Sequence, residues 1–353
     1  MVFDSHVHFR DFKEKVKETV EHGLIVARDS GVYAVGDMPN TNPPILYEED
    51  VRDRLKIAED ANVPEVLYGI HMGLTADPEQ VKRAVATYRK FYPRVLGFKM
   101  YAAHSTNRLG IIEVDDQYIV IDTLSGEGFD GVLSVHSEKE SRMHHGIFTP
   151  KAPESHCFAR PEITETEAIR DIMGFAYMTN FPGRLHFVHV STSKGVEYIS
   201  RAKSQGMRVT CGACPHHFYY DWRRMFEKDG LIWKMNPALR EPGEPEKILE
   251  ALRDGRIDIV ETDHAPHTEK NKFVDCASGV VAEAWWPVFI QYLKHSGFSE
   301  KRIEEVTLTK PAEIWGVDVK IPRIRRLIDH RKDYPLNPWK SMEELVGMTR
   351  DYN

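Results

Sequence analysis

Met1-Val2-Phe3-Asp4-Ser5-His6-Val7-His8-Phe9-Arg10 opens the chain, and the fold is read outward from it. Val2 to Phe9 reads as a short strand. Side chains on a strand alternate between faces, so His6 and His8 share one face, one pleat apart. Two imidazoles so placed can hold one metal ion, and imidazole suits zinc. Taken alone, a His-x-His is equally well a pair of surface or core histidines. What stands at the other strand ends weighs on the choice.

Beyond this stretch, strand and helix alternate. Short apolar runs with β-branched residues predict strands from Tyr33 to Met38, Glu65 to Met72, Val95 to Tyr101, Gly131 to Ser137, Arg184 to Val190, Met207 to Ala213 and Ile257 to Thr262. Spaced apolar positions between them predict helices, among them Glu14 to Asp29, Pro78 to Phe91, Glu162 to Met178 and Ser193 to Ser204, with Val280 to Lys294 and Glu300 to Trp315 closing the series. Eight such units over roughly 310 residues predict a parallel (β/α)₈ barrel of the metal-dependent hydrolase kind, spanning residues 1–317. Residues 318–353 are expected as a tail that packs on it. An open doubly wound sheet is the alternative, but it would bring a Gly-rich phosphate turn after the first strand, and Phe9-Arg10-Asp11-Phe12 contains no glycine. The irregular stretch from Lys139 to Pro161, rich in His, Pro and Ser, reads as a functional or lid insert.

Composition excludes several classes. A 353-residue chain that is 41% hydrophobic and 29% charged can bury a sizeable core and is not extensively disordered. A net charge of -7 gives no reason to expect nucleic acid or an anionic membrane as partner. No apolar run approaches a membrane span, and the first residues lack a signal-peptide core, so a cytoplasmic location is the expectation. Four cysteines are too few for a disulfide framework. Cys211 and Cys214 have C-x-x-C spacing, but on a strand that separation puts them on opposite faces, so neither a redox nor a zinc pair is expected.

Barrels of this kind carry their chemistry at the C-terminal ends of the strands. There the sequence places His6, His8 and Arg10, then Asn40, Lys99, His136, His189 and Asp263. Any one of these is more often just polar. Four histidines, a lysine and an aspartate in register across five strands point to metal, and they outnumber what one four-coordinate zinc requires. Lys99 admits three readings: a salt bridge, a substrate clamp, or an amine that has reacted with CO₂ to give a bridging carbamate. Arg10 is either a cap or surface ion pair, or a planar fork for a substrate carboxylate.

These residues resemble the amidohydrolase superfamily and, within it, the dihydroorotase family. The superfamily pattern is His-x-His on the first strand, a carboxylated Lys on the fourth, His on the fifth and sixth, and Asp on the eighth. The narrower likeness lies in Arg10 after the His-x-His, Met38-Pro39-Asn40-Thr41, Asn236-Pro237-Ala238-Leu239-Arg240 and Asp263-His264-Ala265-Pro266-His267. The resemblance implies reversible hydrolysis of dihydroorotate to N-carbamoyl-aspartate in pyrimidine biosynthesis. It implies two divalent metal ions, zinc above all, held by His6, His8, Lys99, His136, His189 and Asp263 and bridged by carboxylated Lys99. Asp263 would be general base and then general acid. Arg10, Asn40, Asn236 and His267 would bind substrate, and Ser105 and Thr106 resemble a mobile loop that closes over it. Arg240 is expected to order its loop, and His216, His217 and His264 to support the site. Hydantoinases and allantoinases share the metal pattern but usually depart at Arg10 and His267. A non-catalytic scaffold for a pyrimidine-pathway partner would be expected to lack metal ligands. Most relatives add a β-sandwich built from both termini; this sequence has no room for its N-terminal half, which makes a partner or a homo-oligomer the expectation.

Overall fold

The strand runs have no polar face, so they need cover on both sides: helices outside and filled space within. A computed structural model describes residues 1–104, 109–318 and 327–349 of the chain and shows that arrangement. Strands β1 (Val2–Val7), β2 (Val32–Asp37), β3 (Leu67–Gly73), β4 (Val95–Tyr101), β5 (Val132–His136), β6 (Arg184–Phe187), β7 (Val209–Ala213) and β8 (Ile259–Val260) pair in that order, each parallel to its neighbours. Ser105 and Thr106, the expected lid, lie outside the described residues. No described helix is long and apolar enough to cross a membrane.

The seam between β8 and β1 closes the barrel with little ladder. Val7 bridges His264, and His8 N donates to His264 O at 2.8 Å. A carboxylate does the rest. Asp4 accepts Thr262 N at 3.1 Å and Trp286 Nε1 at 3.0 Å, and also takes the Thr262 hydroxyl. This closed seam excludes the open doubly wound alternative. At the opposite, N-terminal end, Phe3, Leu96, Val132 and Ile259 pack with Leu308, Ile314 and Trp315 into an apolar plug. Trp315 reaches up to the buried rings of His71 and His186, at 5.9 and 5.0 Å between centroids. Chemistry is thereby confined to the other mouth.

Several boundaries differ from expectation for local reasons. The first helix starts at Val20, capped by Thr19, whose Oγ1 accepts His22 N at 3.1 Å; the preceding residues form a 3₁₀ turn, Phe12–Glu14. The last expected helix is split by a π turn at Glu305–Thr309, just before Pro311, which has no N–H to continue the α ladder. Pro287 likewise sits in the first turn of Trp286–His295, so that helix begins later than Val280. Strand β6 ends at Phe187 because His189 turns to φ 41° and donates its N–H to Glu261 Oε1. Gly212 makes room for that carboxylate: a Cβ there would stand 2.3 Å from Glu261 Oε1.

The described tail residues lie against the barrel. Trp339 is fully buried and donates its indole N–H to Val281 O at 2.6 Å. Tyr334 donates to Glu18 Oε1 at 2.8 Å, and Glu343 accepts from Trp285 Nε1 and Arg331 Nη1, each at 2.7 Å.

Candidate metal centre and substrate pocket

His6 and His8 do share a face, as the alternation on β1 requires, and both imidazoles point at one oxygen. Asp263 Oδ1 lies 2.8 Å from His8 Nε2 and 3.3 Å from His6 Nε2. Asp263 itself sits three residues past β8 at φ 51°, a left-handed conformation that turns its carboxylate into the mouth. His8 Nδ1 donates to Asn40 Oδ1 at 2.6 Å, so its Nε2 carries the lone pair. His6 Nδ1 faces the Glu261 carboxylate at 3.6 Å, which leaves its Nε2 as the second lone pair. Burial lowers the pKa of both imidazoles and holds them neutral. Two neutral nitrogens and a carboxylate therefore turn electron pairs toward one point, with ligand atoms within 4.8 Å of one another. A cation is what such a set fits.

The second half of the site is built alike. His136 Nε2 donates to Glu138 Oε2 at 2.9 Å, and its Nδ1 lies 3.1 Å from His189 Nε2. Burial would raise the Glu138 carboxyl, but Arg160 and His136 together carry it well below the usual range. A fixed anion on one side of His136 fixes its tautomer, and Nδ1 is left to accept. His189 is also held neutral, first by burial and then by His136 and Lys99 nearby. The His6 and His189 rings, 5.2 Å apart, join the two halves.

Lys99, on β4, is fully buried and its Nζ has no hydrogen-bond partner. Burial brings its pKa down to about 8, against the pull of Glu261 and Asp263. An uncompensated ammonium beside four imidazoles is costly to bury. A neutral amine fits the position better.

One pocket of about 80 Å³ gathers His6, His8, Arg10, Asn40, Lys99, His136, His189, Asn236 and Asp263. The larger, 340 Å³ hollow beside Leu24, Ala58 and Arg94 is lined by no histidine. Arg10 is buried and its Nε has no partner, though Nη2 comes within 3.4 Å of His267 Nε2. That nitrogen donates to Ser278 O at 3.0 Å, so it cannot also accept from Arg10. The guanidinium fork is thus turned into the pocket with donors to spare. Arg54 sets its place: fully buried and paired with Asp37, it donates to the carbonyls of Phe9 and Arg10 at 2.5 and 3.1 Å. Asn236 is half-buried at the pocket wall, where its Oδ1 accepts Ser278 Oγ at 3.4 Å. Arg240 orders its loop as expected, donating to Ser191 Oγ and Arg160 O.

Sequence reasoning missed four contributors. Tyr101 lines the pocket with a buried hydroxyl that has no partner. Its position two residues past Lys99 placed it on the same face and could have revealed it. Glu138 was equally visible two residues past His136. Glu261 stood likewise two residues before Asp263, whereas Arg160 carried no such signal, since only the folded chain brings it to Glu138 and His136.

No family model matches the chain. A curated dihydroorotase of Halobacterium salinarum is 31% identical over 324 residues, which are 90% of this chain and 72% of that protein. The chain belongs to the dihydroorotase family. Dihydroorotases of Methanosarcina mazei and Lactobacillus helveticus match at 27% and 28% identity, each over about nine-tenths of this chain and 69% and 72% of their own. Among solved structures, the L-hydantoinase (dihydropyrimidinase) of Arthrobacter aurescens superposes on this dihydroorotase-family barrel with a TM-score of 0.79 at 24% identity, covering 89% of this chain and 70% of its own. The D-hydantoinase of Thermus sp. gives 0.74 at 22% identity, over 93% of this chain and 73% of its own. The likeness to the two hydantoinases is one of fold.

Proposed function

We propose that this chain is a dihydroorotase that hydrolyses the ring amide of dihydroorotate to N-carbamoyl-aspartate, and reverses that step when the pyrimidine ring is built. The observation that carries the reading is one pocket with two complementary features. A convergent set of neutral imidazoles and a carboxylate stands beside Arg10, whose buried fork has donors to spare. The first suits activation of an amide, the second a substrate that carries its own carboxylate. Hydantoin and allantoin have none, so Arg10 favours dihydroorotate over both.

Two divalent cations, zinc by the donor set, would be held by His6, His8 and Asp263 and by His136 and His189, with carboxylated Lys99 between them. When bound, such ions polarise an amide carbonyl and lower the pKa of water. Carboxylation is balanced simply: the neutral Lys99 amine adds to the carbon of CO₂ and releases one proton, leaving an N-linked carboxylate. Arg10 holds the substrate carboxylate, Asn40 and Asn236 orient the ring, and His267, its one N–H taken by Ser278 O, stands behind Arg10. Asp263 takes a proton from the attacking water as its oxygen adds to the ring carbonyl carbon. As the carbon–nitrogen bond breaks, the same carboxyl returns the proton to the departing ring nitrogen. Tyr101, with its unpartnered hydroxyl, can donate to a substrate oxygen in the same pocket. A cytoplasmic setting goes with this reading.

The test is metal content and turnover on one sample, with dihydroorotate, hydantoin and allantoin as substrates. At least two metal equivalents and a clear preference for dihydroorotate are expected. Preference for an uncharged cyclic amide would overturn the assignment.

A further inference from the structure

We propose that Cys214, His216 and His217 form a separate cation site of the zinc class. It would sit where β7 gives way to the short helix Pro215–Tyr219 and tie that strand end to the loop carrying Asn236. The three side chains are buried, and Cys214 Sγ and one ring nitrogen of each histidine lie within 4.8 Å of one another. Zinc bonds of about 2.3 Å to sulfur and about 2.0–2.1 Å to nitrogen put ligand atoms roughly 3.3–3.8 Å apart, so modest side-chain rotations close the set.

The histidines supply the independent sign that something belongs there. His216 is fully buried, yet neither ring nitrogen has a hydrogen-bond partner. Leaving such groups unmet costs about 1–3 kcal/mol apiece. His217 donates Nε2–H to Pro237 O at 3.0 Å, which turns the lone pair of Nδ1, itself unpartnered, inward. One ring nitrogen tied to a backbone carbonyl and the other left free is the arrangement of a metal-bound imidazole. The two rings meet edge to face, 4.3 Å between centroids. Cys211 is not part of the set: its Sγ lies 3.7 Å from Arg256 O, and both cysteines are free thiols.

Sulfur with two imidazoles selects a soft or borderline cation. On binding, the Cys214 thiol becomes a thiolate and its proton leaves to solvent, so a divalent ion adds one net positive charge. Three protein ligands leave a fourth position for water. The site would brace the substrate loop, because His217 holds Pro237, next to Asn236.

The inference stands apart from the hydrolase reading, since the ligands assigned to that centre are nitrogen and oxygen alone. The full-length protein is loaded with cobalt(II) or zinc. A near-ultraviolet sulfur-to-cobalt charge-transfer band is expected in wild type and in Cys211→Ser, and is lost in Cys214→Ser. Zinc content should fall by one equivalent in Cys214→Ser. Should that variant not fold, X-ray absorption at the zinc edge of wild type serves instead, with a sulfur shell at about 2.3 Å expected. Scattering from nitrogen and oxygen alone, or no thiolate band with unchanged zinc content, overturns the proposal. Either result is independent of whether dihydroorotate is turned over.

Discussion

Nε2 of His136 donates to Oε2 of Glu138 at 2.9 Å, two residues further along the end of the same strand. Arg160, at the end of the irregular insert, grips the same carboxylate, with Nε 3.1 Å from Oε1. The insert therefore reaches the candidate metal centre through one anion. Glu138→Gln keeps the shape and removes the charge that fixes the His136 tautomer. Metal affinity is expected to fall about 10- to 100-fold, the usual effect of losing an outer partner of a ligating histidine. Equilibrium dialysis followed by metal analysis measures it, with circular dichroism to check the fold. Undiminished affinity would mean that Glu138 serves folding only. Arg160→Leu is expected to do worse, by about 3–5 kcal/mol of stability, because it strands a buried carboxylate.

A second carboxylate links the tail to the barrel and makes stability depend on acid. Burial would raise the pKa of Glu18, but His264 and His22 bring it from 4.5 to about 2. A carboxyl depressed in the folded state stabilises above its unfolded pKa and loses that contribution as pH falls through the folded one. The window thus runs from about 4.5 down to about 2, and the contribution is on the order of 3 kcal/mol. Denaturant unfolding of wild type should weaken across that window more steeply than that of Glu18→Gln. Parallel slopes for the two proteins would remove Glu18 as the cause.

How far the sequence carries is seen best at residues 261–263 and at residue 189. The barrel was legible because fully buried parallel strands are unbroken apolar runs, and the meeting of His6, His8, Lys99, His136, His189 and Asp263 in one pocket because barrel chemistry gathers at strand ends. Yet β8 keeps only Ile259–Val260 as a regular strand. Thr262 bonds to the Asp4 side chain instead of a neighbouring backbone, and no periodicity announces that exchange. His189 was expected inside a strand and lies past its end, at φ 41°. The cause is the long-range bond to Glu261. Local propensity cannot see a partner 72 residues away. The insert was recognisable as an insert, but its contact with His136 through Arg160 and Glu138 exists only in three dimensions.

Arg10 separates substrate binding from chemistry. Its fork is expected to pair with the substrate carboxylate, an interaction of about 1.5–3 kcal/mol when charge-assisted. Arg10→Ala should therefore lower kcat/KM for dihydroorotate roughly 10- to 150-fold, chiefly through KM, with metal content and melting behaviour kept. Asp263→Asn is the complement. It should cost about 100- to 10,000-fold in kcat, as for a lost general acid–base group, and retain metal in part. If both variants move KM alone, Asp263 is a ligand without a role in proton transfer.

Lys99 bears on the two-metal reading directly. Its amine is fully buried, lacks a hydrogen-bond partner and lies 5.2 Å from the centre of the Tyr101 ring. As a cation it would repel any metal held by its histidine neighbours; as a carbamate it would attract and bridge two. Lys99→Ala removes the amine in either case, but the consequences are opposite. If Lys99 is a cation, the variant relieves repulsion and metal binds as well as before, or better. If it carries the carbamate, the variant loses the bridge, with metal falling by one or two equivalents relative to wild type and turnover falling to the background rate. Metal analysis of the purified variant distinguishes the two, and mass spectrometry of the intact wild type in bicarbonate should show the added mass of CO₂ under non-acidic conditions. Metal content equal to wild type would rule out the bridging carbamate, whatever the fate of activity.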